Sequence, residues 1–567
     1  MGNPVLQRMT EVVFCVRLMR IYCGSFRNLR VALLGDPVSS AADEPIRLRL
    51  SYISMLAKIS AHPVSARRTV ISATVTAWLY RGINLATGIV TLPLIAAHLG
   101  KEELGVWLLV GNLVSFVSLS DIGVGSSIAR FVARYRQTDP HKLPVLLSTA
   151  VGILAVITSL LLLLTVSLGG LVPSLLKVPP VLVENTRFTF LFGGGAAALL
   201  LLLRVGGGIL AGHQRYGPHG TGKILEALLS FFAVVMLAKA DRLDLRHLAV
   251  TTAAVAVAAN IVLVWVAWKM TGPWGLRLSR VRVDMVREIF SLGFSSLGLS
   301  LSIVLYSQGI GLLVGVTYGL QAAAIYGVCF LLVNNIQALL SSLGVSFSTL
   351  ASEWQSRKEL TRIVVPTRIV SAATSALAAC ALAGLVSYGD PILRLLFHRS
   401  DWSAADYLNA RLLLLTMTMG LMIGLPYTAI KSTLLGTGQH WKVFLWLLGS
   451  ATVAFVAAAF AAAGQVPLWQ IGLTWSLFWL LPSMSIFLVA QAHQAGLSLV
   501  RVAWQVHAPA VFAGGLLALF SLGLRSWWQP HNLAALLGQI LICVAVGGLL
   551  TQLSIRVVDR PRITFKP

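Results

Sequence analysis

The sequence predicts an all-α membrane protein that crosses the bilayer about fourteen times, and three observations lead to this fold class. Of the 567 residues, 57% are hydrophobic and only 11% are charged, whereas about 25% of the residues in a typical soluble domain are charged. Apolar stretches of about 20 residues, the length that a helix needs to cross a bilayer, recur along the chain. The turns between them contain Gly, Pro or charged residues, as at 389–391.

The predicted helices form two groups of six and a final pair. Residues 1–69 precede them as a cytoplasmic extension, which we expect to be disordered because it is too polar to bury a core. In the first group, 70–269, the helices lie near 70–97, 104–129, 144–168, 188–212, 221–239 and 246–268. A basic cytoplasmic linker, 270–287, leads to the second group. In that group, 288–490, the helices lie near 289–316, 321–350, 363–387, 407–433, 442–463 and 468–490. The final segment, 491–567, holds the extra pair near 506–524 and 534–554 and a cytoplasmic tail.

The basic residues indicate membrane topology rather than nucleic-acid binding. The net charge is +24, but Lys and Arg lie in short clusters between apolar stretches and not on one soluble face with interleaved aromatic residues. The inner connections and the C-terminal tail hold more than twice as many Lys and Arg as the outer connections. The positive-inside rule therefore predicts that both termini lie in the cytoplasm. No nucleic-acid partner is expected.

The sequence contains no pattern that is typical of a catalytic or metal site. The five cysteines form no CxxC pair and no metal-ligand spacing, and those inside apolar helices are expected to act as small hydrophobic residues. Membrane enzymes that act on lipid-linked sugars usually carry their catalytic groups in a large loop or soluble lobe, and no long connection interrupts the helices. We therefore expect no catalytic residues, no metal and no cofactor.

An internal repeat relates the two groups of helices. A shift of 219 residues superposes three pairs of residues: Gly100 with Gly319, Trp107 with Tyr326 and Gly125 with Gly344. A second match, at a shift near 225, relates 210–215 to 435–440. Six helices are an even number of crossings, so the two copies share one orientation, and parallel repeats of this kind build transporters with a central cavity. The alternative is two duplicated bundles without a cavity.

Polar residues within the predicted helices are the candidate binding residues, because a charge at mid-depth costs at least about 2.5 kcal/mol on insertion scales. Arg81 lies about 16 Å into the first helix at 1.5 Å per residue, and Asn84 lies one turn further on the same face. Arg204 in the fourth helix lies nearer the cytoplasmic end, and Lys431 in the tenth helix lies at a similar depth. These residues predict an anion-binding region, with structural ion pairs and snorkelling to the interface as alternatives.

The C-terminal half presents amides rather than charges. Gln308, Asn334 and Asn335 predict a neutral hydrogen-bonding interior, although bonds between helices explain them equally well. Cations in one half and amides in the other suit an anionic head group that carries hydroxyl-rich material, since Arg binds phosphate bidentately. Asp121, near the inner end of the second helix, is the candidate for binding a coupling proton or cation; it alternatively caps a helix break at Gly123 or pairs with an arginine.

Two motifs carry a family resemblance. The run TLPLIAAHLGKEELGVW at 91–107, followed by LSDIGVGSSIARF at 119–131, resembles the polysaccharide transporter family of Wzx-type flippases. This family belongs to the multidrug/oligosaccharidyl-lipid/polysaccharide exporter superfamily. The second half echoes the pattern at 318–326, and the resemblance covers 70–490, with the last helix pair as an addition that some members carry. It implies a MATE-like fold of two pseudo-symmetric six-helix bundles around a central cavity.

The resemblance also implies a function. Such proteins flip a polyprenyl-diphosphate-linked oligosaccharide, an O-antigen or exopolysaccharide repeat unit, across the bacterial cytoplasmic membrane by alternating access, driven by a proton or sodium gradient. Arg81 and Arg204 would then contact the diphosphate. The implied partners are the lipid-linked substrate, membrane lipids and other membrane proteins of polysaccharide biosynthesis. The alternatives are a cation-coupled multidrug antiporter of the same superfamily and a membrane-embedded polymerase or ligase.

Overall fold

The computed structural model describes residues 64–121, 124–345, 347–356, 359–397, 401–528 and 533–558. Within these residues the chain forms α-helices joined by short 3-10 and π turns, with no β-strand. Thirteen of the described helices are long and apolar enough to cross a membrane, so the protein is a multi-pass α-helical membrane protein as predicted. Residues 1–63 of the predicted N-terminal extension lie outside the described residues.

The N-terminal bundle begins with an interrupted helical element that contains the first predicted span, 70–97, and residues 104–115 of the second. The chain turns at Gly100, whose φ of 71° and ψ of 179° interrupt the helix, and these two spans are therefore two legs of one element. A 3-10 turn, Phe116–Asp121, follows the second leg. The helices of this bundle are α1 Val64–Ser115, α2 Val124–Thr138, α3 Leu143–Leu168, α4 Val172–Leu175, α5 Val183–Gly212, α6 Tyr216–Lys239 and α7 Leu245–Thr271.

The C-terminal bundle contains two π turns, Leu305–Gly309 and Ser483–Phe487, and one 3-10 turn, Leu425–Tyr427, within its spans. Its helices are α8 Val283–Val304, α9 Ile310–Tyr318, α10 Leu320–Val345, α11 Phe347–Ser356, α12 Val364–Leu396, α13 Ala404–Gly424, α14 Thr428–Gly436, α15 His440–Ala463, α16 Leu468–Pro482 and α17 Leu488–Ala495. The extra pair is α18 Leu499–Trp527 and α19 Leu533–Val558.

Helices are the expected structure here, because a backbone in lipid must satisfy its polar groups within its own segment. Side-chain hydroxyls follow the same rule: Thr87 Oγ1 donates to the Ile83 carbonyl one turn earlier, at 2.8 Å. The helix ends are capped locally, and α13 begins with a capping box between Ser403 and Asp406. Apolar side chains on the helix surfaces then face lipid without a free-energy penalty.

The backbone repeats between the two bundles in the way that the sequence predicts. Gly319 has φ 87° and ψ 179°, nearly the conformation of Gly100, and only glycine adopts such angles readily. At the C-terminal ends of α5 and α14, a Cβ added to Gly212 would lie 2.8 Å from the Ala129 carbonyl oxygen, and one added to Gly436 would collide with the Ser348 carbonyl. Both contacts are close approaches of the end of one helix to the short helix after the equivalent span.

The extra helix pair packs against α12 of the C-terminal bundle. Ser387 and Ser521 share a 2.6 Å hydrogen bond, and Arg525 donates to the Ser387 carbonyl at 2.6 Å. His507 of α18 lies within hydrogen-bond distance of Ser375 and Tyr427, at 3.3 and 3.2 Å. The pair is therefore joined to the bundle by polar contacts as well as by apolar packing.

Candidate substrate-binding cavity

A cavity of about 390 Å³ lies between the two bundles, within the volume range of small-molecule binding sites. The N-terminal bundle contributes α1, α5 and α7, and the C-terminal bundle contributes α10 and the π turn Leu305–Gly309. The lining residues are Trp107, Leu108, Val110, Gly111, Asn112, Val114, Ser115, Thr189, Gly193, Ala249, Thr252, Gln308, Tyr326, Gly327, Phe330, Leu331 and Asn334.

The cavity lies on the axis that relates the two repeats. Five lining residues of α1 have their repeat equivalents in α10, and these equivalents also line the cavity: Trp107 with Tyr326, Leu108 with Gly327, Gly111 with Phe330, Asn112 with Leu331 and Ser115 with Asn334. Equivalent residues even touch, because Gln321 Nε2 donates to Glu102 Oε1 at 3.3 Å across 219 residues of sequence. The same face of two equivalent helices therefore lines the cavity.

The lining is neutral and rich in hydrogen-bonding groups. Among the described residues, no acidic or basic side chain lines it. Thr189 and Thr252 donate to carbonyls of their own helices, at 2.8 and 2.7 Å, which leaves their hydroxyl oxygens able to accept a bond from a ligand. The amides of Asn112, Gln308 and Asn334 line the cavity and make no hydrogen bond within the described part of the chain.

Local irregularities of the second bundle position two of these amides. Gln308 lies in the π turn Leu305–Gly309, and π turns within helices are frequent at functional sites. The Tyr306 ring in the same turn stacks on Phe478 with a 3.6 Å centroid separation, which anchors the turn. Next to the turn, a Cβ on Gly311 would lie 2.5 Å from Asn112 Nδ2, so glycine at this position makes room for the Asn112 amide.

Of the seven substrate-binding residues predicted from sequence, only Gln308 and Asn334 line the cavity. Arg81 is half-buried and donates to the Ala338 carbonyl of α10, while Asn84 is exposed on α1. Arg204 is exposed on α5, and Asn335 is half-buried on α10 beside Asn334.

The predicted binding residue Lys431 and the predicted ion-coupling residue Asp121 lie next to or within 3-10 turns. Lys431 is half-buried on α14, just after the 3-10 turn Leu425–Tyr427, and makes no ion pair within the described residues. Asp121 is the last residue of the 3-10 turn Phe116–Asp121, and its role in ion coupling stays a prediction. The structure thus brings the predicted amides together but does not bring the predicted cations into the cavity.

Several cavity residues were not predicted from the sequence. Ser115 could have been found from Asn334, because the repeat makes the two positions equivalent. Trp107 and Tyr326 were matched as a repeat pair without being assigned to a site. Thr189 and Thr252 carry no sequence signal, since hydroxyl residues are common in membrane helices.

Polar contacts join the two bundles on one side of the cavity. We call this the outer side; it contains Gly100 and Gly319, and the charge distribution predicts that it faces away from the cytoplasm. Lys101 Nζ donates to Asp406 Oδ2 at 2.6 Å, and the two side chains are only 10% and 19% exposed. Lys177 Nζ donates to the Val316 carbonyl at 3.0 Å. With the Glu102–Gln321 bond, these outer contacts hold the two bundles together at this side.

Backbone packing reinforces the outer contacts. A Cβ on Gly105 would collide with the Leu320 carbonyl, and one on Gly327 would lie 2.7 Å from Leu108 Cδ1. These glycines let α1 and α10 approach closely, as small residues do at helix interfaces in membranes. The outer half of the interface between the bundles is consequently closed along these two helices.

Comparisons with known proteins agree with this architecture. Residues 74–350 match the family model described as polysaccharide biosynthesis protein. No curated protein shows significant sequence similarity to the chain.

Solved structures share the fold at low sequence identity. The chain resembles the lipid II flippase MurJ in an inward closed conformation, with a TM-score of 0.65 and 13% identity, over 86% of this chain and 100% of that one. It also resembles an inward-facing MATE multidrug resistance transporter, with a TM-score of 0.62 and 12% identity, over 73% of this chain and 98% of that one. A third match, a transporter of the same superfamily from Pyrococcus furiosus, has a TM-score of 0.51 and 13% identity, over 76% of this chain and 96% of that one.

The parallel repeat, the cavity on its axis and the two motifs of the first bundle thus agree with the family match and the shared fold. Together they show that residues 74–350 match the polysaccharide biosynthesis protein family and that the chain shares its fold with the lipid II flippase MurJ and a MATE transporter.

Proposed function

We propose that the chain is a flippase that moves a polyprenyl-diphosphate-linked oligosaccharide from the inner to the outer leaflet of the bacterial cytoplasmic membrane. The observation that carries this proposal is the lining of the cavity, which combines free amides, hydroxyls and aromatic rings without charge. Sugar hydroxyls both donate and accept hydrogen bonds, as amides do, and sugar rings have apolar faces that pack against aromatic side chains. The family description and the lipid-linked substrate named for MurJ support the same reading.

The position of the cavity supports alternating access. It lies between two bundles related by the repeat, and a rocking of one bundle against the other would open it to each side in turn. In the structure the outer contacts join the bundles. We infer that the glycan enters from the cytoplasmic side in this state and leaves after the outer contacts separate.

The predicted cations retain a role outside the cavity in this proposal. Arg81, Arg204 and Lys431 do not line the cavity, so a diphosphate near them would remain below the glycan, with its lipid chain in the bilayer. A guanidinium has five N–H donors, and the bond from Arg81 to the Ala338 carbonyl leaves others available for phosphate. A proton or sodium gradient acting through Asp121 would supply the driving force.

A multidrug antiporter fits the cavity less well. A transporter of organic cations needs an acidic group to offset the charge of its substrate in a low-dielectric site. The part of the chain that the structure describes contributes no acidic side chain to this cavity.

The proposal is tested with the purified protein in liposomes that contain a polyprenyl-diphosphate-linked oligosaccharide. Transport is measured as the arrival of the glycan on the opposite face, detected with an impermeant lectin. Asn334→Leu should lower the rate at least about tenfold, the effect of losing about 1.4 kcal/mol of binding, whereas Asn335→Leu, on the neighbouring residue outside the cavity, should retain most of it. Efflux of a fluorescent organic cation without any movement of the glycan would contradict the proposal and favour the antiporter.

A further inference from the structure

We infer that the cavity selects an uncharged glycan, and that Asn112, Gln308 and Asn334 are the residues that select it. This inference rests on the proposed function and names the class of sugar that the transporter accepts. It predicts discrimination against glycans that carry a carboxylate, such as those with a uronic acid in the part that enters the cavity.

The three amides come from both bundles and surround one space. Asn112 lies on α1, Gln308 in the π turn and Asn334 on α10, and all three line the same cavity. None of them has a hydrogen-bond partner in the described part of the chain. Polar side chains of membrane helices generally form hydrogen bonds within the protein. Three amides without a partner around one cavity therefore indicate a ligand that both donates and accepts hydrogen bonds. A neutral sugar hydroxyl has this property, whereas a carboxylate accepts only.

No charged side chain of the described residues is part of the lining. Lys101 is paired with Asp406 on the outer side, and Lys177 donates to the Val316 carbonyl. Arg81 donates to the Ala338 carbonyl and does not line the cavity. A carboxylate in the cavity would therefore lose its hydration without gaining a cation, which is strongly unfavourable in a low-dielectric site.

The aromatic residues favour the same class of ligand. Trp107 and Tyr326 are equivalent positions of the two repeats, and both line the cavity. Aromatic faces contribute to binding through apolar contact with the C–H face of a sugar ring, and their negative π surfaces disfavour an anion placed over them. The cavity thus presents apolar faces and neutral hydrogen-bonding groups together.

The test compares two synthetic substrates in proteoliposomes of the full-length protein. Both are polyprenyl-diphosphate-linked disaccharides, identical except that the terminal hexose of one is replaced by the corresponding uronic acid. Arrival on the opposite face is followed by impermeant periodate oxidation of the glycan. The wild-type protein is expected to move the neutral substrate at least about tenfold faster than the acidic one. Because both rates are measured with the wild-type protein, the comparison does not depend on whether a variant folds.

Two substitutions at one position assign the selectivity to the cavity. Gln308→Lys places a cation there and should raise transport of the acidic substrate relative to the neutral one at least about fivefold. Gln308→Met, of similar size and without charge, should slow both substrates without inverting their order. Thermal unfolding of each variant shows whether it folds.

Equal wild-type rates for the two substrates would overturn this inference and leave the proposed function intact. If wild-type protein of normal thermal stability moved neither substrate, the proposed function itself would fail, and the inference with it.

Discussion

Polar side chains in this membrane protein differ in whether they hydrogen-bond to the backbone of their own helix or have no partner there. Thr87, Thr189 and Thr252 donate to backbone carbonyls of their own helices, so their donor protons contribute nothing to a ligand site. The amides of Asn112 and Gln308 have no such local partner and lie against the cavity. The two amides can therefore both donate to and accept from a ligand, whereas Thr189 and Thr252 can only accept.

The proposed contact between Arg81 and the diphosphate can be tested by substitution. Arg81→Met removes the donors proposed for the diphosphate and should reduce surface polysaccharide at least about tenfold, because charge-assisted bonds to phosphate are roughly twice as strong as neutral ones. The measurement is the amount of exported polymer in cells that carry the variant, with lipid-linked oligosaccharide accumulating on the cytoplasmic side.

A purely structural role for Arg81 has a different signature. The side chain also donates to the Ala338 carbonyl, so loss of thermal stability in proportion to the loss of export would indicate that this contact is the important one. Arg81→Lys keeps the charge but cannot bind bidentately, and it should restore export only in part. Normal polymer with Arg81→Met would exclude the diphosphate role.

At the scale of elements, glycines determine how closely helices approach one another. In the C-terminal bundle Gly436 of α14 packs directly on the backbone of α11, and in the N-terminal bundle Gly212 of α5 packs on α2 in the equivalent place. Packing therefore explains Gly212 and Gly436 in the matched segments 210–215 and 435–440, whereas Gly438 adopts a φ of 82° and has no atom within 4 Å of an added Cβ. Both bundles therefore have a glycine where the backbones of two helices come into contact.

Gly436→Ala should destabilise the protein by about 1–3 kcal/mol, the usual effect of overpacking a close contact, because the added methyl group would collide with the Ser348 carbonyl. The midpoint of thermal unfolding in detergent measures the effect. Gly449→Ala is the matched control on α15, since a Cβ there meets no atom within 4 Å. Equal midpoints for the two variants would show that α11 moves away without penalty.

At the scale of the whole molecule, the outer contacts favour one arrangement of the two bundles. Lys101–Asp406, Glu102–Gln321 and Lys177–Val316 each join one bundle to the other. None of these bonds lies within a bundle, so rocking that opens the outer side would have to break them.

Breaking the Lys101–Asp406 ion pair should therefore favour the outward-open state. The pair is largely buried, and losing about 1–2 kcal/mol from one state changes its population about 5–30-fold. Lys101→Met is expected to increase labelling, by an impermeant thiol reagent, of a cysteine introduced at Asn112. The exchanged pair, Lys101→Asp with Asp406→Lys, should return labelling towards the wild-type level, and unchanged labelling of Lys101→Met would mean that the pair does not bias the equilibrium.

A disulfide across the axis tests the same motion from the other direction. Glu102→Cys with Gln321→Cys joins two equivalent residues that lie in contact, and oxidation should stop transport while reduction restores it. Full activity of the oxidised protein would show that the outer side opens elsewhere.

The membrane class, the helices and the repeat follow from the sequence by itself, because each depends on local composition or on residues at a fixed shift. Apolar stretches must be helical in lipid, and Gly100 and Gly319 mark the same turn in both halves. The sequence also predicted the family resemblance, from two motifs, and a central cavity, from the parallel repeat. It named Gln308 and Asn334 as candidate binding residues, and both line the cavity. The predicted orientation, with both termini in the cytoplasm, rests on charge counting and stays a prediction.

Only the tertiary structure decided which polar residues share one space. Arg81 and Arg204 resemble cavity residues in sequence, because depth along a helix is readable but the direction of a side chain around it is not. The cavity instead collects Asn112, Ser115 and two threonines from helices far apart in the chain. Which faces meet depends on how the two bundles pack across their common axis. That long-range packing leaves Arg81, Arg204 and Lys431 outside the cavity, whose described lining is neutral, and their role in binding substrate stays a prediction.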